Sequence, residues 1–344
     1  METIKLTING VEVKVNRGTT VLEAAQAANI YIPTLCADPD LEPYGSCRLC
    51  VVEIEKIRGL PTACTTPATN GMVVHTETPA VNEVRRTSVD LLIANHPMDC
   101  LTCRQNQQCE LQQVTAHLGI TERRFPRTDQ AFPVDTSNPF FDLDRNYCIL
   151  CAKCVRTCDE ITGINAIDLA FRGYSARVAT FGDKPLIEST CKSCGECMVR
   201  CPVAALTPKE TRRPIHEVKT TCPYCGVGCQ MYLGIKDGQV ITVRGDRDNE
   251  VNGGHLCVKG RFGIAEFVHH PERLTNPQIR KNGKLAETTW DRALDEAAAR
   301  LGQYAPNEVA VIASAKCTNE ENYVLQKLGR AVLGTQNIDH CARL

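Results

Sequence analysis

Two stretches of this chain repeat one cysteine spacing. "CILCAKCVRTC" begins at residue 148 and "CKSCGECMVRCP" at residue 191, and each reads C-x2-C-x2-C-x3-C. Cysteine is also the compositional outlier, with 21 in 344 residues and 19 of them before residue 260. In a short secreted chain that count would suggest disulfides. Here the length implies two or more domains. The opening "METIKLTING" alternates polar and apolar residues as a strand does, not as a signal peptide does. No stretch approaches the roughly 18 apolar residues of a membrane span. Metal binding in a cytoplasmic protein is therefore the expectation. A 43% hydrophobic content supports packed cores, and a net charge of −1 gives no reason to expect nucleic acid or an acidic membrane surface as a partner.

The repeated run resembles the signature of bacterial two-cluster ferredoxins, where the fourth cysteine of each run serves the other cluster. That resemblance assigns Cys148, Cys151, Cys154 and Cys201 to one [4Fe–4S] cluster. It assigns Cys191, Cys194, Cys197 and Cys158 to a second. Pro202 follows the second run, whereas Asp159 stands at that place in the first, a departure that removes no ligand. An internal pseudo-repeat accounts for the match between the runs.

Two groups precede this pair. Ile4, Leu6 and Ile8 alternate with polar residues, Asn9-Gly10 signals a type I′ turn, and Val11, Val13 and Val15 alternate on the return. "TTVLEAAQAA" then predicts a short helix, and this ββα opening suits a β-grasp domain. Cys36, Cys47, Cys50 and Cys64 follow as C-x10-C-x2-C-x13-C. Zinc would accept four thiolates, but the long first gap is unlike paired zinc knuckles. The spacing departs from that of plant-type ferredoxins. It resembles the ferredoxin-like domain of respiratory NADH dehydrogenase (complex I) and its relatives, which implies a [2Fe–2S] cluster. Next, "HPMDCLTCRQNQQC" supplies His96, Cys100, Cys103 and Cys109 as H-x3-C-x2-C-x5-C. In the same family this pattern holds a [4Fe–4S] cluster with one imidazole. A neutral imidazole in place of a thiolate makes the cluster less negative, which should raise its potential. Residues 120–147 carry no ligand pattern, and "FPRTDQAFPVDTSNPFFDLD" is expected to pack its Phe residues as a structural strap.

The last group is "CPYCGVGC" with, at a distance, "CVKGRFG". Cys222, Cys225, Cys229 and Cys257 read C-x2-C-x3-C-x27-C, with short strands between Asp-Gly and Gly-Gly turns. This resembles the opening of molybdenum or tungsten oxidoreductases that bind two pyranopterin guanine dinucleotides, and implies a further [4Fe–4S] cluster. Lys259 matches the lysine that in those enzymes lies between the cluster and one pterin; read without the resemblance it is a solvated lysine in a Gly-rich turn. "TWDRALDEAAARLGQY" predicts an amphipathic helix with Leu294, Ala297, Ala298 and Leu301 on one face. "EVAVIASA" (308–315) predicts a buried strand and "NEENYVLQKLGRAVLG" (319–334) a helix. This unit is expected to lack its second parallel strand, leaving Val309, Val311 and Ile312 exposed. Cys317 and Cys341 have no CxxC partners and join no cluster.

The expected fold is multidomain α+β. It comprises a β-grasp [2Fe–2S] ferredoxin domain (1–78), a [4Fe–4S] domain with one His and three Cys ligands (79–119), a linker (120–138) and a bacterial-type 2×[4Fe–4S] ferredoxin domain (139–209). A [4Fe–4S] domain of the molybdenum/tungsten bis-pterin type (215–271) and the beginning of an α/β molybdopterin oxidoreductase domain (272–344) follow. One [2Fe–2S] and four [4Fe–4S] clusters exceed any structural need and read as an electron relay. No G-x-G-x-x-G fingerprint appears, so NAD(P)H is expected to meet a flavin or hydrogenase-type partner subunit. There is no Ser/His/Asp arrangement, and His216, His255, His269, His270 and His340 read as surface or structural residues.

Two families share this architecture: the catalytic subunit of cytoplasmic NAD(P)-linked formate dehydrogenase, and the iron–sulfur subunit of complex I and of NAD-linked hydrogenases. The tail "AKCTNEENYVLQKLGRAVLGTQNIDHCARL" resembles the formate dehydrogenase segment that leads into the active site. There the next residue is the metal-ligating selenocysteine or cysteine, followed by His. The resemblance implies that this catalytic residue would follow Leu344, that the chain is cut short where a UGA codon is read as a stop, and that 344 residues alone do not turn over formate. A fragment, a frameshift or a natural short subunit are the alternatives. The runner-up function is a non-catalytic electron-transfer subunit of a complex I-like NADH dehydrogenase or NAD(P)-linked hydrogenase. A zinc-rich binding protein fits the double run poorly.

Overall fold

The computed structural model describes residues 2–126, 131–210 and 213–341. The chain divides into two compact units, Met1–Thr211 and Arg212–Leu344. The first opens with the antiparallel hairpin β1 (Thr3–Ile8) and β2 (Val11–Asn16). Asn9 (φ 49°) and Gly10 (φ 82°) make its turn in the left-handed region, as a type I′ turn requires. Ile4, Leu6, Ile8, Val13 and Val15 point into the core, while Val11 remains exposed. Helix α1 (Val21–Ala27) is held at its start by a reciprocal Thr20–Glu23 capping box. It lays Val21, Leu22, Ala24 and Ala25 in the same core. Strands β3 (Glu53–Ile54) and β4 (Val73–His75) complete a mixed sheet in the order β2-β1-β4-β3, with β1 and β4 parallel.

Helix α2 (Pro79–Asn95) starts on a Thr78 cap. It carries Arg85, a fully buried side chain. Its guanidinium donates to Leu49 O at 3.0 Å and Val51 O at 3.1 Å, and pairs with Glu77 at 3.0 Å. A buried cation is tolerable only when its donors are satisfied, and here they tie α2 to the backbone on both sides of Cys50. Helix α3 (Glu110–His117) begins directly after Cys109.

Within the stretch expected to form a strap, Asp135 accepts from the amides of Ser137 and Leu186. The stretch 127–130 lies outside the described residues. Of the strap's Phe residues, Phe141 is buried. It begins β5 (Phe141–Leu143). Helix α4 (Lys153–Arg156), strands β6 (Asp168–Ala170) and β7 (Arg177–Ala179), and helix α5 (Glu196–Val199) follow. Strand β8 (Leu206–Pro208) then returns antiparallel to β5 and sets Leu143 opposite Leu206. The pseudo-repeat is visible in the backbone: Leu150 and Ala152 in the first run, and Ser193 and Gly195 in the second, all have φ between 54° and 76°.

The second unit begins with a three-stranded antiparallel sheet, β9 (His216–Thr221), β10 (Gln230–Lys236) and β11 (Gln239–Gly245), in the order β11-β10-β9. Helix α6 (Ile264–His269) and the hairpin β12 (Gln278–Lys281) and β13 (Lys284–Glu287) come next. Helix α7 (Trp290–Leu301) forms as expected, but Leu294 and Leu301 on its apolar face stay exposed. One expectation is corrected. Strand β14 (Val311–Ala313) and helix α8 (Asn319–Lys327) do reach a second parallel strand, β15 (Ile338–His340), with Val311 opposite Ile338. Three residues suffice for the return. They bury Val311, whereas Ile312 stays 78% exposed. Of the terminal "DHCARL", residues 342–344 lie outside the described residues.

Candidate metal centres

Within the first unit, Cys36 Sγ stands 3.4 Å from Cys47 Sγ and Cys50 Sγ 3.3 Å from Cys64 Sγ. The backbone amides of Leu35 and Cys47 point at Cys47 Sγ and Cys36 Sγ, each from 3.5 Å. Hydrogen bonds from Cys47 and Cys64 hold the Cys36 thiol well below the usual thiol range, and a hydrogen bond from Cys64 brings Cys50 down to about 7. The same contacts raise Cys47 and Cys64. The four sulfurs thus share their protons as a set.

His96 caps the end of α2 and is buried. Its Nδ1 is buried with no hydrogen-bond partner. Burial lowers its pKa to about 4, so the ring is neutral and Nδ1 is available to a metal. The ring meets Tyr147 edge-on at 5.6 Å, and the Tyr147 hydroxyl donates to Asp99 at 2.5 Å. Cys100, Cys103 and Cys109 lie within each other's electrostatic reach, and burial raises Cys103 and Cys109.

The paired runs enclose two cavities. One, of about 30 Å³, is lined by Cys158, Cys191, Cys194 and Cys197. The other, of about 20 Å³, is lined by Cys148, Cys151, Cys154 and Cys201. Leu143 and Leu206, opposite each other across β5 and β8, line both. Each cavity could admit a water by size, but a water needs two to four polar partners, and these walls offer sulfur and apolar carbon. The left-handed residues turn amides inward. Leu150 N points at Cys148 Sγ and Ser193 N at Cys191 Sγ, each from 3.4 Å, and Ala166 N at Cys158 Sγ from 3.2 Å. Burial pushes Cys148 and Cys201 up to about 11 and Cys151 up to about 12. Burial also raises Cys154 and Cys197 well above the usual thiol range.

A single tetrahedral ion needs its ligands to close on one point. A cluster of irons bridged by sulfide holds its thiolates farther apart, around a void. The two four-cysteine voids, the inward N–H groups and the orphaned His96 nitrogen all fit that kind of group. Cys36, Cys109 and Cys151, one from each of three groups, belong to a single apolar core with Leu35, Leu49 and Val203.

In the second unit, Cys222 is buried, Cys225 and Cys229 are half-buried, and Cys257 is exposed. The Cys222 amide donates to Cys229 O at 2.8 Å. Burial raises Cys222, while the Lys259 charge pulls it down. Gly260, next to Lys259, lies beside Cys222: a Cβ built there would make ordinary contact with its Sγ at 3.6 Å.

The sequence reading missed the basic residues around these groups. Lys153 pairs with Glu110 at 2.9 Å, and Arg200 with Glu196 at 2.5 Å and Asp40 at 2.8 Å. An arginine inside the three-residue gap of each run was the available signal.

Five family profiles match successive segments. They are a 2Fe-2S iron-sulfur cluster binding domain (1–79), an NADH-ubiquinone oxidoreductase-G iron-sulfur binding region (85–124) and an NADH-quinone oxidoreductase subunit 3 ferredoxin-like domain (138–207). A molybdopterin oxidoreductase Fe4S4 domain (215–270) and a molybdopterin oxidoreductase domain (273–344) follow. The second G-type component of the NADH-quinone oxidoreductase of Rhizobium meliloti (strain 1021) is 39% identical over 347 residues, covering 99% of this chain and 40% of the relative. The alpha component of an NADPH-Fe(3+) oxidoreductase of Geobacter sulfurreducens is 37% identical over 350 residues, with 99% and 40% covered. A provisionally named formate dehydrogenase of Bacillus subtilis (strain 168) is 33% identical over 396 residues, with 100% and 40% covered. The chain thus spans about 40% of the length of these relatives. A crystal structure of an NAD+-reducing [NiFe]-hydrogenase matches with a TM-score of 0.54 and 32% identity, covering 60% of this chain and 87% of the hydrogenase chain.

Proposed function

We propose that this chain, which carries iron–sulfur and molybdopterin oxidoreductase domains, is the iron–sulfur relay part of a formate dehydrogenase. In this reading Cys36, Cys47, Cys50 and Cys64 hold a [2Fe–2S] cluster in a β-grasp domain. His96, Cys100, Cys103 and Cys109 hold a [4Fe–4S] cluster. The two ferredoxin-like clusters take Cys148, Cys151, Cys154 and Cys201, and Cys191, Cys194, Cys197 and Cys158. Cys222, Cys225, Cys229 and Cys257 hold the last. The observation that carries it is the pair of cavities, each lined by three cysteines of one run and the fourth of the other.

A molybdenum or tungsten bis(pyranopterin guanine dinucleotide) centre, when bound, supplies two-electron exchange between formate and carbon dioxide. The chain's own residues do the rest. Thiolates and His96 hold clusters that exchange single electrons, inward amides and buried cations stabilise the more negative reduced state, and the apolar core keeps water out. Lys259 sets a positive charge beside Cys222, on the side proposed to face the pterin. NAD(P)H is reached through a flavin or hydrogenase-type partner subunit. Among the described residues no helix is long and apolar enough to cross a membrane.

A second reading, a non-catalytic relay subunit of an NADH-linked or hydrogenase assembly, is favoured by the hydrogenase match, which covers 87% of that chain at 32% identity. The native complex, purified anaerobically, separates the two. Formate should reduce its clusters, and molybdenum or tungsten should be present in stoichiometric amount. Reduction by NAD(P)H alone, with neither metal present, would reject formate and favour the second reading.

A further inference from the structure

We infer that Arg156 and Arg200 clamp the segment leaving Cys36 against the ferredoxin-like pair, and so fix the spacing between the Cys36-Cys47-Cys50-Cys64 centre and the Cys148-Cys151-Cys154-Cys201 centre. The inference rests on the iron–sulfur reading of those two groups. Both arginines are positioning residues: each acts through backbone or carboxylates rather than on a cluster.

Each arginine lies between the third and fourth cysteine of its run and is buried. Neither is spent wholly on its own run. Arg156 Nη2 donates to Cys36 O and Nη1 to Glu42 O, each at 2.5 Å, and its guanidinium lies 5.2 Å from the centre of the Tyr44 ring. Arg200 Nη2 donates to Asp40 at 2.8 Å, and its Nε stands 3.7 Å from Asp38. The Glu42 amide donates to Glu160 at 2.8 Å. The stretch 36–42 is therefore gripped along its length by residues that neighbour ligands of the paired clusters.

Two features argue for position rather than plain stability. A planar guanidinium can fork onto two carbonyls, which an ammonium cannot do in the same geometry. The fork is also kept at a cost: Arg156 Nε is buried without a hydrogen-bond partner. Buried charge networks are weak sources of stability but can define register. Register matters here because electron passage between clusters falls steeply with the distance between them.

The test uses the anaerobically reconstituted full chain beside Arg156→Met, Arg156→Lys and Asp40→Asn. Iron, sulfide and the separate EPR signals are measured first. Pulsed EPR then reads the dipolar coupling between the reduced [2Fe–2S] and [4Fe–4S] centres, and hydrogen exchange reads residues 36–44. Both Arg156 variants are expected to keep iron and sulfide, to lose the single well-defined coupling, and to exchange faster over 36–44. Unchanged coupling and exchange in Arg156→Met overturn the clamp. Wild-type behaviour in Arg156→Lys overturns it too, since charge alone would then suffice. If Arg156→Met assembles no [2Fe–2S] cluster, Asp40→Asn decides: a blurred coupling and faster exchange support the clamp, and wild-type values overturn it. A wild-type chain that takes up zinc in place of iron and sulfide refutes the iron–sulfur reading instead. Hydrogen exchange over 36–44 needs no cluster and still decides the clamp.

Discussion

Cys158→Ala separates what lies near in sequence from what lies near in space. By position Cys158 closes the run that starts at Cys148, but it lines the cavity of Cys191, Cys194 and Cys197. The substitution removes one of four sulfurs from that wall and leaves the Cys148, Cys151, Cys154 and Cys201 wall intact. The Ala166 amide loses its sulfur acceptor. That loss costs roughly 1 kcal/mol, too little to unfold the unit. The larger effect is on metal content: about 18 irons in the loaded chain should fall to about 14. Cys201→Ala should remove the other cluster. Its pKa of about 11 means that ionising Cys201 at pH 8 costs about 4 kcal/mol, so it is a ligand only while a cluster supplies that free energy. The assay is iron and sulfide analysis with EPR of the reduced proteins, using Cys194→Ala and Cys151→Ala as references. The spectrum of Cys158→Ala should match that of Cys194→Ala, and Cys201→Ala should match Cys151→Ala. The opposite matching would refute the exchange of ligands between runs.

Three further outcomes are expected. Burial keeps Cys148, Cys151 and Cys201 protonated in the metal-free protein, with pKa values of about 11 to 12, and loading must release those protons. Loading should therefore tighten as pH rises from about 7 towards 9, read by chelator competition; a flat or falling profile contradicts the burial argument. Gly245→Ala would set a Cβ 1.9 Å from Gly254 O. Backbone must then move against backbone, at or above the usual 1–3 kcal/mol of overpacking, and the turn before Cys257 shifts with it. This variant should lose the Cys222 cluster alone, and retention of all clusters at wild-type thermal stability would show that the contact is slack. His96→Cys should keep a cluster and lower its potential in a redox titration, because a thiolate adds negative charge where the neutral ring stood; an unchanged potential would remove His96 from the ligand set.

The parts of this molecule that were legible in sequence are those in which a short spacing dictates a loop. Asn9-Gly10 and the two C-x2-C-x2-C-x3-C runs each encode their own geometry within a few residues. The left-handed backbone at Leu150, Ala152, Ser193 and Gly195 follows the same local logic, although only one of the four is glycine. The return strand at Ile338–His340 was not anticipated because three residues of "NIDHCARL" carry too weak a pattern, and its partner β14 is equally short. The arginine contacts were invisible for another reason. Arg156 reaches Cys36 across 120 positions and Arg200 reaches Asp40 across 160, and no periodicity records a contact of that kind.

The placement of charge adds a final argument for the relay. The chain is nearly neutral as a whole, at −1, yet its buried charges are not evenly spread. Arg85 grips the carbonyls on either side of Cys50, Lys153 lies between Cys151 and Cys154, Arg156 reaches Cys36 O, and Arg200 adjoins Cys201. All four are buried. Burying a cation is costly unless it is paired, and two of these spend donors on backbone carbonyls beside cysteines. Four thiolates around a cluster are a local excess of negative charge, and the reduced state adds one more. Cations fixed beside those ligands stabilise that state in surroundings where water cannot. In the second unit Arg261 is likewise buried, while Lys259 lies on the surface with its charge reaching Cys222 and Cys257 is exposed. The fifth group thus keeps an open side at Cys257 and an exposed cation at Lys259, as suits the proposed place where electrons enter from a separate centre.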